Sequence, residues 1–357
     1  MAPLIQALKQ DQRFESQLCV TGQHRDLLDQ VLLTFDLEPD FDLDIMTPGQ
    51  SLSQVTSKAL LGLDPIICNA NPDWVFVHGD TTSAAMAALA AYYQSKPVAH
   101  VEAGLRTYDI SSPWPEEVNR RIISTMASLH FAPTEDAKAN LLAERIPDEN
   151  IVITGNTVID ALFMAQDKIS SSDSLARSIA AKLPPLTPNK KLILVTGHRR
   201  ESFGKGLENL CSALTELSRR DDVQIIYPVH PNPHVKANIE AQLQGCDNID
   251  LIAPLNYLSF VSLMSKAYII ITDSGGIQEE APSLHVPVLV TRDTTERPEA
   301  LKSGTVELVG TNPSKIVSSA TRLLDDKLHY KAVAACVNPY GDGKATGRII
   351  SRLLKGR

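Results

Sequence analysis

Residues 74–104 read WVFVHGDTTSAAMAALAAYYQSKPVAHVEAG. A β-branched and aromatic run from Trp74 to His78 stops at Gly79-Asp80-Thr81-Thr82. An alanine-rich stretch follows, and a second short apolar run occupies Val98 to Glu102. A strand, a helix and another strand in succession form the repeating unit of a parallel sheet covered on both faces. The rhythm continues outward. In the first half, Gln17 to Thr21 and Ile151 to Thr154 read as further strands, and Glu116 to Leu129 reads as a helix entered through Trp114-Pro115. The second half repeats the pattern at Leu192 to Thr196, Val223 to Val229, Ile249 to Ala253, Tyr268 to Thr272, Val286 to Val290 and Val306 to Val309. The expected fold class is therefore α/β, with two doubly wound domains.

The joint is placed after Gly155-Asn156-Thr157. A polar, helix-rich stretch with Pro184-Pro185 and Pro188 then precedes a fresh strand. The expected division is 1–155 for the first domain and 156–342 for the second, with a helix over about 343–357 crossing back to the first. The chain opens on a helix, Pro3 to Leu8, where a domain of this kind normally opens on a central strand.

A chain of 357 residues exceeds the usual size of a single core. Its net charge of −8 opposes a general attraction to nucleic acid or an anionic membrane, so an anionic ligand needs a local cationic cluster. Only 5% of the residues are aromatic, which disfavours a base-stacking surface. Cys19, Cys68, Cys211, Cys246 and Cys336 contain no CxxC pair and read as free thiols of a reducing compartment. The start carries no cationic leader before an apolar run, and no stretch of about 18 apolar residues occurs. These features lead us to expect a soluble, cytoplasmic protein.

In doubly wound sheets, ligands bind beyond the carboxyl ends of the strands. Asp80 and Glu102 stand at two such ends, and Glu116-Glu117 opens the helix after Trp114-Pro115. Carboxylates gathered at one crevice raise one another's pKa and provide acid and base partners for proton transfer. Taken singly, Asp80 also reads as a helix cap and Glu116 as a complement to a helix dipole. Ser274-Gly275-Gly276 follows another strand and opens a helix, the form of a diphosphate cradle or of a plain tight turn. Glu280, one turn on, reads as a ribose acceptor or a solvated carboxylate. His198, Arg199, Arg200 and Arg297 are cations that could meet phosphate charge. A metal site is not expected, because prolines separate His230 from His234, and no G-x-G-x-x-G follows a strand to hold a nicotinamide cofactor.

HGDTT at His78, VEAGLRT at Val101, SPWPEE at Ser112, TGNTVIDAL at Thr154, TGHRRESFG at Thr196, TDSGGIQEEAP at Thr272 and RDTTERPEA at Arg292 resemble the non-hydrolysing UDP-N-acetylglucosamine 2-epimerases. The likeness covers essentially the whole chain. It implies a GT-B-like fold of two Rossmann-like domains with the active site in the interdomain cleft, and commonly a homodimer that takes UDP-N-acetylglucosamine and UDP without a cofactor. It implies loss and re-addition of UDP through 2-acetamidoglucal to give UDP-N-acetylmannosamine for surface polysaccharides. Carried over by position, Asp80, Glu102, Glu116 and His198 match the catalytic residues, and Ser274, Gly275, Gly276, Glu280 and Arg297 the nucleotide-binding ones. Gln23, His24, Arg199 and His230 stand where some bacterial members bind a second, activating substrate molecule. The resemblance also leads us to expect that the family's first strand and GTRPE-type loop are lacking here. A hydrolysing epimerase, a GT-B glycosyltransferase and a non-catalytic nucleotide-sugar binder are the alternative readings.

Overall fold

The computed structural model describes residues 1–23, 25–197, 204–229, 232–295 and 297–355. The chain divides into two compact units, Met1–Ala161 with Tyr340–Arg357, and Leu162–Pro339. In chain order, the first unit contains α1 (Ala2–Gln10), β1 (Cys19–Val20), α2 (Arg25–Thr34), β2 (Phe41–Asp42), α3 (Leu52–Ala70), β3 (Val75–His78) and α4 (Thr82–Tyr93). It continues through β4 (Val98–Val101), α5 (Glu116–Met126), β5 (Leu129–Ala132), α6 (Glu135–Ala143), β6 (Ile151–Ile153) and the start of α7 (Thr157–Ser170). The second unit holds the rest of α7, then α8 (Asp173–Ala180), β7 (Lys191–Thr196), α9 (Lys205–Leu217), β8 (Val223–Pro228), α10 (Pro233–Gln242), β9 (Ile249–Ile252) and α11 (Tyr257–Met264). β10 (Ile269–Thr272), α12 (Gly275–Ser283), β11 (Val288–Val290), α13 (Pro298–Ser303), β12 (Val306–Leu308), α14 (Pro313–Asp325) and α15 (Lys327–Ala334) complete it. The last helix, α16 (Ala345–Lys355), belongs to the first unit.

The first unit has a parallel sheet in the order β3-β4-β5-β6, while β1 and β2 pair in a parallel sheet of their own. Alternation along the strands feeds two cores. Val77 and Val98 face Val55, Ala59 and Leu63 of α3 and the alanines of α4. Ala99, Val101, Leu129 and Phe131 face the other way, onto Leu4 and Leu8 of α1 and Ile349 and Leu353 of α16. Helix starts follow local chemistry. Ser51 and Gln54 form a capping box on α3, and the Thr81 hydroxyl accepts from the Ala84 N–H at the start of α4.

α5 ends at Met126, short of the Leu129 expected from sequence, and Leu129–Ala132 is an interior strand, β5. All four of its residues are buried, so it shows no alternation, and a short apolar run beside a helix reads equally well as its last turn. The two-residue β2 likewise gave no periodic signal.

The second unit is built on one parallel sheet in the order β12-β11-β10-β7-β8-β9. From β7 the chain winds outward through β8 and β9, and from β10 it winds the other way, so the topological switch point lies between β7 and β10. There the hydroxyls of the register partners Thr196 and Thr272 lie 2.6 Å apart.

Candidate active site

Asp80 and Glu102 follow the adjacent strands β3 and β4, whose last residues, His78 and Val101, are register partners. Gly79 at φ +67° turns the chain out of β3, and Glu102 itself holds φ +63°. A glutamate in the left-handed region costs on the order of 1 kcal/mol or more, and such strain persists where the surroundings fix it, commonly at functional sites. Thr81, not Asp80, caps α4, which leaves the Asp80 carboxylate for other partners.

Those partners come from α5. Arg120 donates to Asp80 Oδ2 from Nε at 2.9 Å and holds Nη2 2.7 Å from the same oxygen in an ion pair, while Asn119 donates to the Asp80 carbonyl at 2.9 Å. Burial pushes the Asp80 carboxyl above its ordinary pKa; Arg120 opposes that shift, and the negative charges of Glu102 and Glu116 add to it. Glu102 and Glu116, the other two carboxylates expected from sequence, thus both lie within electrostatic reach of Asp80.

Glu102 accepts from the side-chain amide of Asn156 at 2.9 Å, and His78 Nε2 stands 3.6 Å from the same oxygen. Asn156 also donates its backbone N–H to the Tyr340 carbonyl at 2.7 Å. Behind the turn, His100 is fully buried with Nε2 2.8 Å from the Gly79 carbonyl. Burial depresses His100 to about 3, so the ring is neutral and carries its proton on Nε2, which donates to that carbonyl. Sequence reasoning missed Arg120, Asn156 and His100. Only Arg120 carried a local sign, its i, i+3 and i, i+4 spacing from Glu117 and Glu116.

In the second unit, Ser274 is the N-cap of α12 and its side chain makes no cap bond. Its N–H is instead taken by Thr272 Oγ1 at 2.9 Å. A side chain at Gly276 would meet open space, so the helix start is accessible there. Free first-turn N–H groups and the helix dipole together favour an anion. Glu280 is buried, accepts from the Tyr257 hydroxyl at 2.8 Å, and is raised by desolvation to about 7. Arg297 reaches α12 through an ion pair with buried Glu279, Nε to Oε1 2.6 Å. Gln23, after β1, accepts from Ser83 at the start of α4. His198, Arg199, His24 and His230 lie outside the described residues. Among the described residues, no group of three or more His, Cys, Asp or Glu is placed to hold a metal ion. None of the described helices is long and apolar enough to cross a membrane.

Residues 6–354 match the family described as UDP-N-acetylglucosamine 2-epimerase. The Yersinia pestis protein of that name is 56% identical over 354 residues, which cover 99% of this chain and 94% of the relative. The Escherichia coli K12 protein of that name is 55% identical over 358 residues, 100% of this chain and 95% of the relative. Among solved structures, the Neisseria meningitidis UDP-GlcNAc 2-epimerase bound to UDP-GlcNAc superposes with a TM-score of 0.91 at 48% identity, covering 99% of this chain and 96% of that one. The Methanocaldococcus jannaschii UDP-GlcNAc 2-epimerase in complex with UDP-GlcNAc and UDP gives 0.83 at 33% identity, with the same coverage. These matches leave the expectation of a lacking first strand and loop unconfirmed. With matches along nearly its whole length in both sequence and fold, the chain belongs to the UDP-N-acetylglucosamine 2-epimerase family.

Proposed function

We propose that this protein interconverts UDP-N-acetylglucosamine and UDP-N-acetylmannosamine by the non-hydrolysing route. The observation that carries the reading is the cluster of Asp80, Glu102 and Glu116 in a chain with this family membership. A sugar C2–H is too weakly acidic for simple removal. In the proposed reaction a carboxylate takes the C2 proton, the C–H electron pair becomes the C1=C2 bond, and the C1–O bond breaks with its electrons leaving on UDP. A carboxylic acid then returns a proton to the opposite face of the glycal, and the diphosphate oxygen adds again at C1. No electrons are gained or lost overall, so the carboxylates suffice for the proton traffic.

The first unit supplies these carboxylates, and the second holds the nucleotide, with Ser274, Gly275 and Gly276 at the diphosphate, Glu280 at the ribose, and His198 and Arg297 beside the phosphate charge. Support for the phosphate assignment is the open N-terminus of α12. A cytoplasmic homodimer and substrate activation through Gln23, His24, Arg199 and His230 are further parts of the proposal, carried by the resemblance.

Proton NMR of the protein with UDP-N-acetylglucosamine in deuterated water tests the reading. Deuterium should enter C2 of both UDP-sugars with no accumulation of the free sugar. Steady release of free N-acetylmannosamine would instead identify a hydrolysing enzyme, and tight UDP binding without C2 exchange a binding protein.

A further inference from the structure

We propose that Arg120 is a positioning residue for the proton transfer: it fixes Asp80 through Oδ2 so that Oδ1 exchanges the proton with C2, and Glu117 is the buried counter-charge that holds Arg120 in place. The proposal rests on the reaction assigned above and adds two residues to it.

The geometry is specific. The Nε hydrogen bond at 2.9 Å and the Nη2 ion-pair contact at 2.7 Å both fall on Asp80 Oδ2, and among the described residues no hydrogen bond reaches Oδ1. The third guanidinium nitrogen, Nη1, donates to Glu117 Oε2 at 3.1 Å. Asn119, the preceding residue of α5, holds the Asp80 main chain through its carbonyl. Two consecutive residues of one helix therefore grip both the side chain and the backbone of the same aspartate.

Glu117 has no exposed surface, and it also accepts from the Thr107 and Tyr108 N–H groups at 3.0 and 3.2 Å. A carboxylate so enclosed does not meet substrate. Its neighbour Glu116 is half-buried and acts on Asp80 by its charge. The adjacent glutamates of one motif thus divide the work, the first facing the cluster and the second anchoring the arginine and the loop after β4.

Among the described residues, the charges that act on Asp80 are Arg120 and Glu116 from α5 and Glu102 from the end of β4. Arg120 is the one that favours the carboxylate. Without it, burial and two negative neighbours remain, and Asp80 keeps its proton to higher pH. The acid limb of the pH–rate profile then moves upward, and activity recovers only at higher pH.

Arg120→Gln alone leaves Glu117 as an uncompensated buried charge and endangers folding. The test therefore uses the pair Arg120→Gln with Glu117→Gln, beside Arg120→Lys, and reads kcat and KM across pH together with the carboxyl carbon of Asp80 by NMR, assigned with Asp80→Asn. The double variant is expected to move the acid limb and the Asp80 titration upward by about one pH unit or more. Its kcat at pH 7 should fall about ten- to a hundredfold with little change in KM. Arg120→Lys, which keeps the charge, should return the limb most of the way. If Asp80 in the folded double variant titrates at its wild-type pH, the proposal is wrong. The same holds if the limb stays fixed while only thermal stability falls. If the wild type shows no C2 exchange at all, the assigned reaction fails, and the Asp80 titration still decides whether Arg120 controls its charge.

Discussion

Glu280 keeps its proton up to about pH 7 because it is enclosed, and the Tyr257 hydroxyl that donates to it offsets only part of the desolvation. Unfolded, it would titrate near 4.5. Between those values the folded chain binds more protons than the unfolded one, so this group's contribution to stability is complete below pH 4.5 and is lost as pH rises to about 7. The loss is on the order of 3 kcal/mol. Glu280→Gln mimics the protonated acid and keeps an acceptor for Tyr257. The melting temperature of this variant should match wild type near pH 4.5 and exceed it at pH 8; a constant offset at all pH values would refute the assignment. At the proposed catalytic cluster, Asp80→Asn, Glu102→Gln and Glu116→Gln should each lower epimerisation by about a hundredfold or more without unfolding the protein. Circular dichroism beside the rate assay separates the two effects. The strand-end positions of Asp80 and Glu102 were legible in the sequence because each stands where a short apolar run ends. The groups that orient them were not. Arg120 is 40 positions from Asp80 and Asn156 is 54 from Glu102, distances that only folding closes.

At the level of elements, the turn leaving β4 is pressed against α6. Gly104 sits at φ +90°, and a Cβ there would fall inside the Ala137 carbonyl. Asn140 of α6 donates to the Gly104 carbonyl at 2.9 Å, closing the same contact from the other side. Gly104→Ala combines backbone strain with a clash against main chain and should cost about 3 kcal/mol or more, whereas Asn140→Ala should cost about 1 kcal/mol. Denaturant midpoints at constant m-value check both numbers. Most strands were legible as elements because each β-branched run ends at glycine or at a polar turn. β5 was hidden for the opposite reason: the residues between α5 and β5, Met126-Ala127-Ser128, are helix-compatible and carry no break signal.

Across the whole molecule, the first unit depends on two segments far apart in the chain. Ile349 is completely buried against α1 and the sheet, and Asp160 accepts from the Ala345 and Thr346 N–H groups that open α16. Ile349→Ala should destabilise this unit by about 2–5 kcal/mol. Hydrogen exchange should then quicken in peptides covering α1, β4 and β5, with β7 and β10 unaffected; uniform acceleration across both units would contradict an independent core. The arrangement also sets an order of assembly. During synthesis, β7 to β12 leave the ribosome before α16 exists, so the second unit can finish its sheet while Leu4, Leu8 and Phe131 still lack their last cover. A nascent chain interrupted before α16 exposes that apolar face to chaperones and proteases, which makes maturation of the carboxylate-bearing unit a late event and gives quality control a means of removing prematurely terminated copies.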